Sequence, residues 1–170
     1  MPYAVTHVLI AIIIADIIRD YFLKKKFSLI YILIAGIAGL LPDIDIPIYW
    51  IINSFTNIPD IHRAFTHTIF LPLILFGLAF IFKNKKLFKL DLKLTFLMLS
   101  LGTFIHLLLD FTLAGYIVLF YPVSYTIYGL NLVQYLPSII QETFFPSLDA
   151  VLLILWLIHE EVKHKISDFI

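Results

Sequence analysis

The chain has 170 residues, a length that suits one domain. Hydrophobic residues make up 61% of it, charged residues 14%, and the mean hydropathy is +0.99; a water-soluble domain of that composition would lack the polar surface to stay dispersed, so a membrane-embedded chain is expected. Twelve Lys and Arg balance twelve Asp and Glu, which gives no bulk attraction for nucleic acid, and the lack of cysteine excludes disulfides, thiolate ligands and a Cys nucleophile.

Apolar segments that reach or approach the roughly 20 residues needed to cross a bilayer follow one another along the chain. The first runs from Tyr3 to Phe22 and is followed by Lys24, Lys25 and Lys26. With no basic n-region and no small-residue cleavage site, it reads as a retained helix rather than a signal peptide. The second, Ser28 to Leu41, is short and stops at Pro42. Residues 46–55 are apolar but too few to span, and Tyr49 and Trp50 suit an interfacial belt. The third runs from His62 to Phe82 and ends in KNKKLFK; the fourth runs from Leu92 to Phe111. From Ala114 to Phe145, Gly115, Pro122, Gly129 and Pro137 interrupt short Tyr- and Phe-rich runs, and Pro146 follows, a pattern expected of an interfacial or re-entrant stretch. A last helix is expected from Ser147 to Ile166. The whole reads as one all-α, polytopic membrane bundle over residues 1–170, with about five embedded helices.

With one crossing per helix, three basic groups fall on one side: Lys24 to Lys26, then Lys83, Lys85, Lys86 and Lys89, then Lys163 and Lys165. The positive-inside rule makes that side cytoplasmic, with the N-terminus outside. The opposite ends then carry His7, Asp43, Asp45, His62, His67, His106, Asp110 and Asp149. Separate segments of a greasy chain thus deliver imidazoles and carboxylates to one extracytoplasmic face. Ionisable groups at membrane depth are costly enough that a functional role is the default reading.

His106 and Asp110, in HLLLD, are four apart and share a helix face. Asp43 and Asp45 alternate in a Pro-bracketed turn; they suit joint ligation, or a split between ligation and orientation, and Asp43 alone also suits a plain turn role. His62 and His67 are about 140° apart around an ideal helix. They meet at one ion only if His62 belongs to the entering turn, so His67 is the favoured ligand and His62 a ligand or a catalytic acid–base. Arg63, four residues before His67, suits a phosphate or carboxylate. His7 reads either as a ligand or as a hydrogen-bonded packing residue, and Asp149 either as a site residue or as a carboxylate favoured at a helix N-terminus. Imidazoles and carboxylates without thiolates suit Zn²⁺, with Mn²⁺ or Fe²⁺ as alternatives. Outside this set, Asp16 and Arg19 read as an i,i+3 pair near Asp20. HEEVKH at His159–His164 misses HExxH spacing by one residue and reads as a solvated helix end. Gly36 and Gly39 read as close-packing positions.

Together with Thr6-His7, the motifs LLPDIDIP, HRAFTHT, HLLLD and YPVS resemble the YdjM-type family of membrane-bound metal-dependent hydrolases over residues 6–124. The resemblance implies a helical integral membrane protein in which Asp43, Asp45, His62, His67, His106 and Asp110 form a metal-dependent hydrolytic site. That family is distantly similar to the zinc-dependent phospholipase C and P1 nuclease group, where an HxxxD helix, a further His and an Asp gather zinc to cleave phosphoesters. Ala64 stands where the family usually has Gly, and Thr68 where it has Ser; the additional zinc ligands of the larger soluble enzymes have no clear counterparts. The expectation is a hydrolase of the cytoplasmic membrane that cleaves a phosphoester, such as a lipid head group, with a metal ion activating water. His62, Arg63 and Asp45 are its expected catalytic residues, and membrane lipid is its expected partner. The rival expectation is a non-enzymatic protein that binds or conducts an ion through the same cluster.

Overall fold

Small residues set how closely the helices approach. In the computed structural model, which describes residues 2–23, 27–56 and 65–165, helix α1 (Ala4–Ile17) buries Ala11 and Ala15 completely, and α2 (Ile30–Ala38) does the same with Ala35 and Ala38. A Cβ on Gly102, midway along α5 (Leu92–Thr112), would lie 2.2 Å from Ala35 O and 2.6 Å from Ala38 Cβ. Helix α5 therefore rests almost on the backbone of α2, the contact that lipid-embedded helices use when apolar burial cannot drive them together. Larger side chains fill the flanks: Phe27, Tyr31, Ile32 and Met98 around Ala15 and Ala35, and Ile105 and Leu109 against Ala11.

The elements alternate in direction. Helix α1 continues into a π turn, Ile18–Phe22, and α2 returns beside it. Pro42 then opens a 3-10 turn, Pro42–Ile44, that leads into α3 (Asp45–Asn53), bent 55° from α2. Helix α4 (Phe70–Ile81) reaches α5 through a hairpin of β1 (Lys86–Leu87) and β2 (Leu90–Asp91). Phe88 and Lys89 at its tip have φ of 47° and 70°, the positive values that a type I′ turn demands at both central residues. Asp91 caps α5 by accepting from Leu94 N at 3.2 Å, and Asp91 N donates to Tyr31 Oη at 2.7 Å, so the starts of α2 and α5 lie at the same end. Helix α6 (Ser138–His164) packs along α1.

Helices α5 and α6 are each long and apolar enough to cross a membrane, and the bent pair of α2 with residues 42–53 makes a third span if counted as one; α4 is shorter. The exposed faces are themselves apolar, with Leu73, Ile74 and Phe80 on α4 and Ile154, Leu155 and Ile158 on α6. Water disfavours so broad an apolar surface; lipid does not.

Several boundaries differ from the sequence expectation. Among the described residues, the third apolar segment is helical from Phe70. Residues 65–69 form an irregular turn in which Ile69 N donates to Leu119 O instead of to a helical carbonyl. His67 therefore precedes α4, and the expectations for His62 and Arg63 fall outside the described residues. The last helix begins at Ser138, not Ser147, and runs through Pro146, which removes one i→i−4 bond without ending so long a helix. Only the preceding part of the aromatic stretch is irregular, held by an Ile117–Tyr128 bridge and a 3-10 turn, Leu132–Tyr135. Arg19 does not pair with Asp16. The π turn redirects it, and it donates to Asp20 Oδ1 at 3.0 Å and to Phe27 O at 2.9 Å. Nor is HEEVKH a solvated end: His159 and His164 pack against Asp16 and Asp20 of α1.

Candidate metal centre

The four-residue spacing on α5 puts His106 and Asp110 on one face, both fully buried, with Nε2 3.7 Å from Oδ2. The bend after α2 carries Asp43 Oδ1 to 3.6 Å from His106 Nε2. The turn before α4 brings His67 Nε2 to 3.2 Å from that same nitrogen. His67 Nε2 is also 3.3 Å from Asp43 Oδ1 and 3.6 Å from Asp110 Oδ2. Ligand atoms of Asp43, His67 and His106 thus lie within 4.8 Å of one another, with Asp110 Oδ2 close to both histidine nitrogens. Ligands held tetrahedrally by Zn²⁺ at about 2.0–2.1 Å stand about 3.3 Å from one another, which is the range of these separations.

The remaining ring nitrogens fix where the protons are. His106 Nδ1 lies 2.7 Å from Gly39 O, which can only accept, so Nδ1 carries the proton and the neutral ring keeps its lone pair on Nε2. Thr66 donates its hydroxyl to Asp45 Oδ2 at 2.9 Å. Its oxygen, 3.2 Å from His67 Nδ1, is then left to accept from that nitrogen, with Asp45 Oδ2 3.6 Å away. The neutral His67 ring likewise keeps its lone pair on Nε2. Two lone pairs facing at 3.2 Å, flanked by carboxylates, repel unless a cation or a proton stands between them. Burial alone would lower the pKa of His67, but its bonds to Asp43 and Asp45 and the charge of Asp110 outweigh that and hold it above its ordinary value. A proton and a metal ion therefore compete for one place, and the donor set fits a divalent ion.

The other sequence-predicted residues fall around this point. His7 is fully buried and stacks on His106, with ring centres 3.9 Å apart and planes 19° from parallel. Its Nε2 is 3.5 Å from Asp110 Oδ1, and neither ring nitrogen makes a hydrogen bond among the described residues. His7, His106 and Asp110 make a second candidate ligand group that shares His106 with the group of Asp43, His67 and His106. Asp45 sits on the Nδ1 side of His67, away from the converging Nε2 atoms, as an orienting carboxylate would. Asp149 accepts from Thr6 Oγ1 at 2.5 Å, next to His7 but outside the candidate ligand groups among the described residues.

Asp43 is the ligand candidate nearest the surface: its side chain is 20% exposed, against 0% for His67, His106 and Asp110. An apolar groove of about 560 Å³, lined by Leu41, Ile44, Pro47 and Trp50, runs up to it. On another flank Phe65 meets Tyr121 edge-on at 5.2 Å, so the aromatic stretch closes over the turn that carries His67. Sequence reasoning missed the Gly39 carbonyl and Gly102. A glycine in the middle of an otherwise apolar α5 was the available signal for the second; a backbone carbonyl gives none.

Fold and site together define a class: an all-helical protein with membrane-length apolar helices that gathers His and Asp from separate elements at one end. A family model described as YdjM inner membrane protein matches residues 1–165, and the chain belongs to that family. The inner-membrane description agrees with the apolar helices. No curated protein and no solved structure matches the chain.

Proposed function

We propose that this protein is a metal-dependent hydrolase of the inner membrane that cleaves a phosphoester, with Zn²⁺ as the best-suited ion. The observation that carries the reading is the convergence of His67 Nε2 and His106 Nε2, each left with a lone pair by the partner on its other nitrogen, beside Asp43 and Asp110. Those four residues would hold the ion, which when bound supplies Lewis acidity and lowers the pKa of water. Asp45 and Thr66 fix the tautomer of His67, and Gly39 fixes that of His106, as buried partners of metal-bound imidazoles do. His7, with Nε2 3.5 Å from Asp110 Oδ1, is the further ligand candidate. From the sequence, Arg63 is assigned to the phosphate and His62 to proton transfer.

The groove beside Asp43 favours a substrate with an apolar portion, such as a phospholipid, whose phosphate would meet the exposed carboxylate. About five embedded helices complete the reading. The described lysines of 83–89 and of the α6 end lie away from the cluster, so the positive-inside rule puts the cluster on the extracytoplasmic side.

Zinc analysis of detergent-purified protein tests the site. His106→Ala and Asp110→Ala should each contain less zinc than the wild type and should lose any chelator-sensitive hydrolysis of bis-p-nitrophenyl phosphate or phospholipid micelles. Equal zinc in all three preparations would sink the site. Zinc binding with no turnover of either substrate would favour the non-enzymatic ion-binding reading.

A further inference from the structure

A second concentration of ligand-type side chains lies at the other end of α1. Asp16 and Asp20 are nine and thirteen residues beyond His7, which at 1.5 Å per residue is about 14–20 Å along the helix. The last turns of α6 bring His159 Nε2 to 3.4 Å from Asp16 Oδ2 and 3.5 Å from Asp20 Oδ2, and His164 Nε2 to 3.1 Å from the latter oxygen. Glu160 adds a third carboxylate: ligand atoms of Asp16, His159, Glu160 and His164 all lie within 4.8 Å of one another.

Two further observations separate this cluster from ordinary ion pairing. Asp16 is 1% exposed, and both its oxygens, Asp20 Oδ2 and the Nε2 atoms of both histidines are buried without a hydrogen bond among the described residues. Among the described residues, the carboxylates of Asp16, Asp20 and Glu160 lie near one guanidinium, Arg19, which donates to Asp20 and Phe27 O. A divalent ion would offset carboxylate charge that burial makes costly.

We infer that Asp16, His159, Glu160 and His164, with Asp20 beside the two histidines, form a second divalent-cation site, of a type suited to Zn²⁺, that fastens α6 to α1 at the end opposite the first cluster. The site does not depend on the hydrolytic reading. Helix α6 buries only Phe145 and Glu160 among its side chains, so its hold on the bundle rests largely on polar contacts, Thr6–Asp149 at one end and this cluster at the other. A bound ion would act there as a clasp.

Equilibrium dialysis against Zn²⁺, on the full chain in detergent, tests the clasp apart from the first site. A His106→Ala, Asp110→Ala variant that keeps wild-type helix content should retain one zinc, and adding Asp20→Asn and His159→Ala should remove it. Unchanged zinc after that addition overturns the site. Should any variant fail to fold, the wild type decides. Diethyl pyrocarbonate modification of His159 and His164, read by mass spectrometry, should be lost on adding Zn²⁺, and modification equal with and without Zn²⁺ overturns the proposal.

Discussion

Thr66 shows how much of the first cluster depends on groups that never face the ion. Its hydroxyl gives its proton to Asp45 and leaves its oxygen to His67 Nδ1, and that arrangement turns the lone pair of Nε2 towards His106. Thr66→Val keeps the volume but removes one donor to Asp45 and the acceptor beside His67 Nδ1. Loss of such a partner weakens metal binding by about 10–100-fold, measurable by competition with a chromophoric zinc chelator, and Thr66→Ser should restore most of it. A Thr66→Val protein with wild-type affinity would show that the ring is oriented by something else. The motif HRAFTHT placed this threonine in view beside the histidine, but its role needed the fold, because Asp45 is 21 residues away in the chain.

Among the elements, the contact of α5 with α2 positions half of the site, since His106 is one turn beyond Gly102 and bonds back to Gly39 at the end of α2. A Cβ at Gly102 meets a backbone carbonyl, which cannot rotate away as a side chain can. Gly102→Ala should therefore push α5 off α2, with a penalty of about 1–3 kcal/mol or more from overpacking and a parallel loss of zinc affinity. Gly77, on the exposed face of α4, is the internal comparison: a Cβ there meets nothing within 4 Å. Gly77→Ala should leave stability equal or raise it by about 0.5–1 kcal/mol, the usual gain for alanine over glycine in a helix. Thermal unfolding in detergent reads both, and similar midpoints for the two variants would contradict the packing argument.

Across the whole molecule, the two polar clusters lie at opposite ends of α1, and the hairpin lysines share the far end with Asp16 and Asp20 through Phe27 and Tyr31. If the first cluster faces outwards, Lys85→Cys and Thr126→Cys should label from opposite sides of the membrane. The chain has no cysteine of its own to confuse the result. An impermeant maleimide should reach position 126 in right-side-out vesicles and position 85 only in inverted ones; the reverse pattern would invert the orientation.

Residue order alone carried the helical, lipid-compatible character of the chain and most members of the first cluster. Apolar run length and four-residue spacing are local properties, and His106 with Asp110 needed nothing more. Helix ends were less legible: Pro146 sits inside α6 because a long helix survives one missing bond, while residues 65–69 stay irregular through bonds to Leu119 and Asp45 that no local pattern encodes. That Asp45 supports His67 from behind, and that His159 and His164 converge, depended on how the helices pack. Five residues apart, those two histidines diverge on an isolated helix, yet both meet Asp20, because a neighbouring helix can place one carboxylate between two diverging side chains.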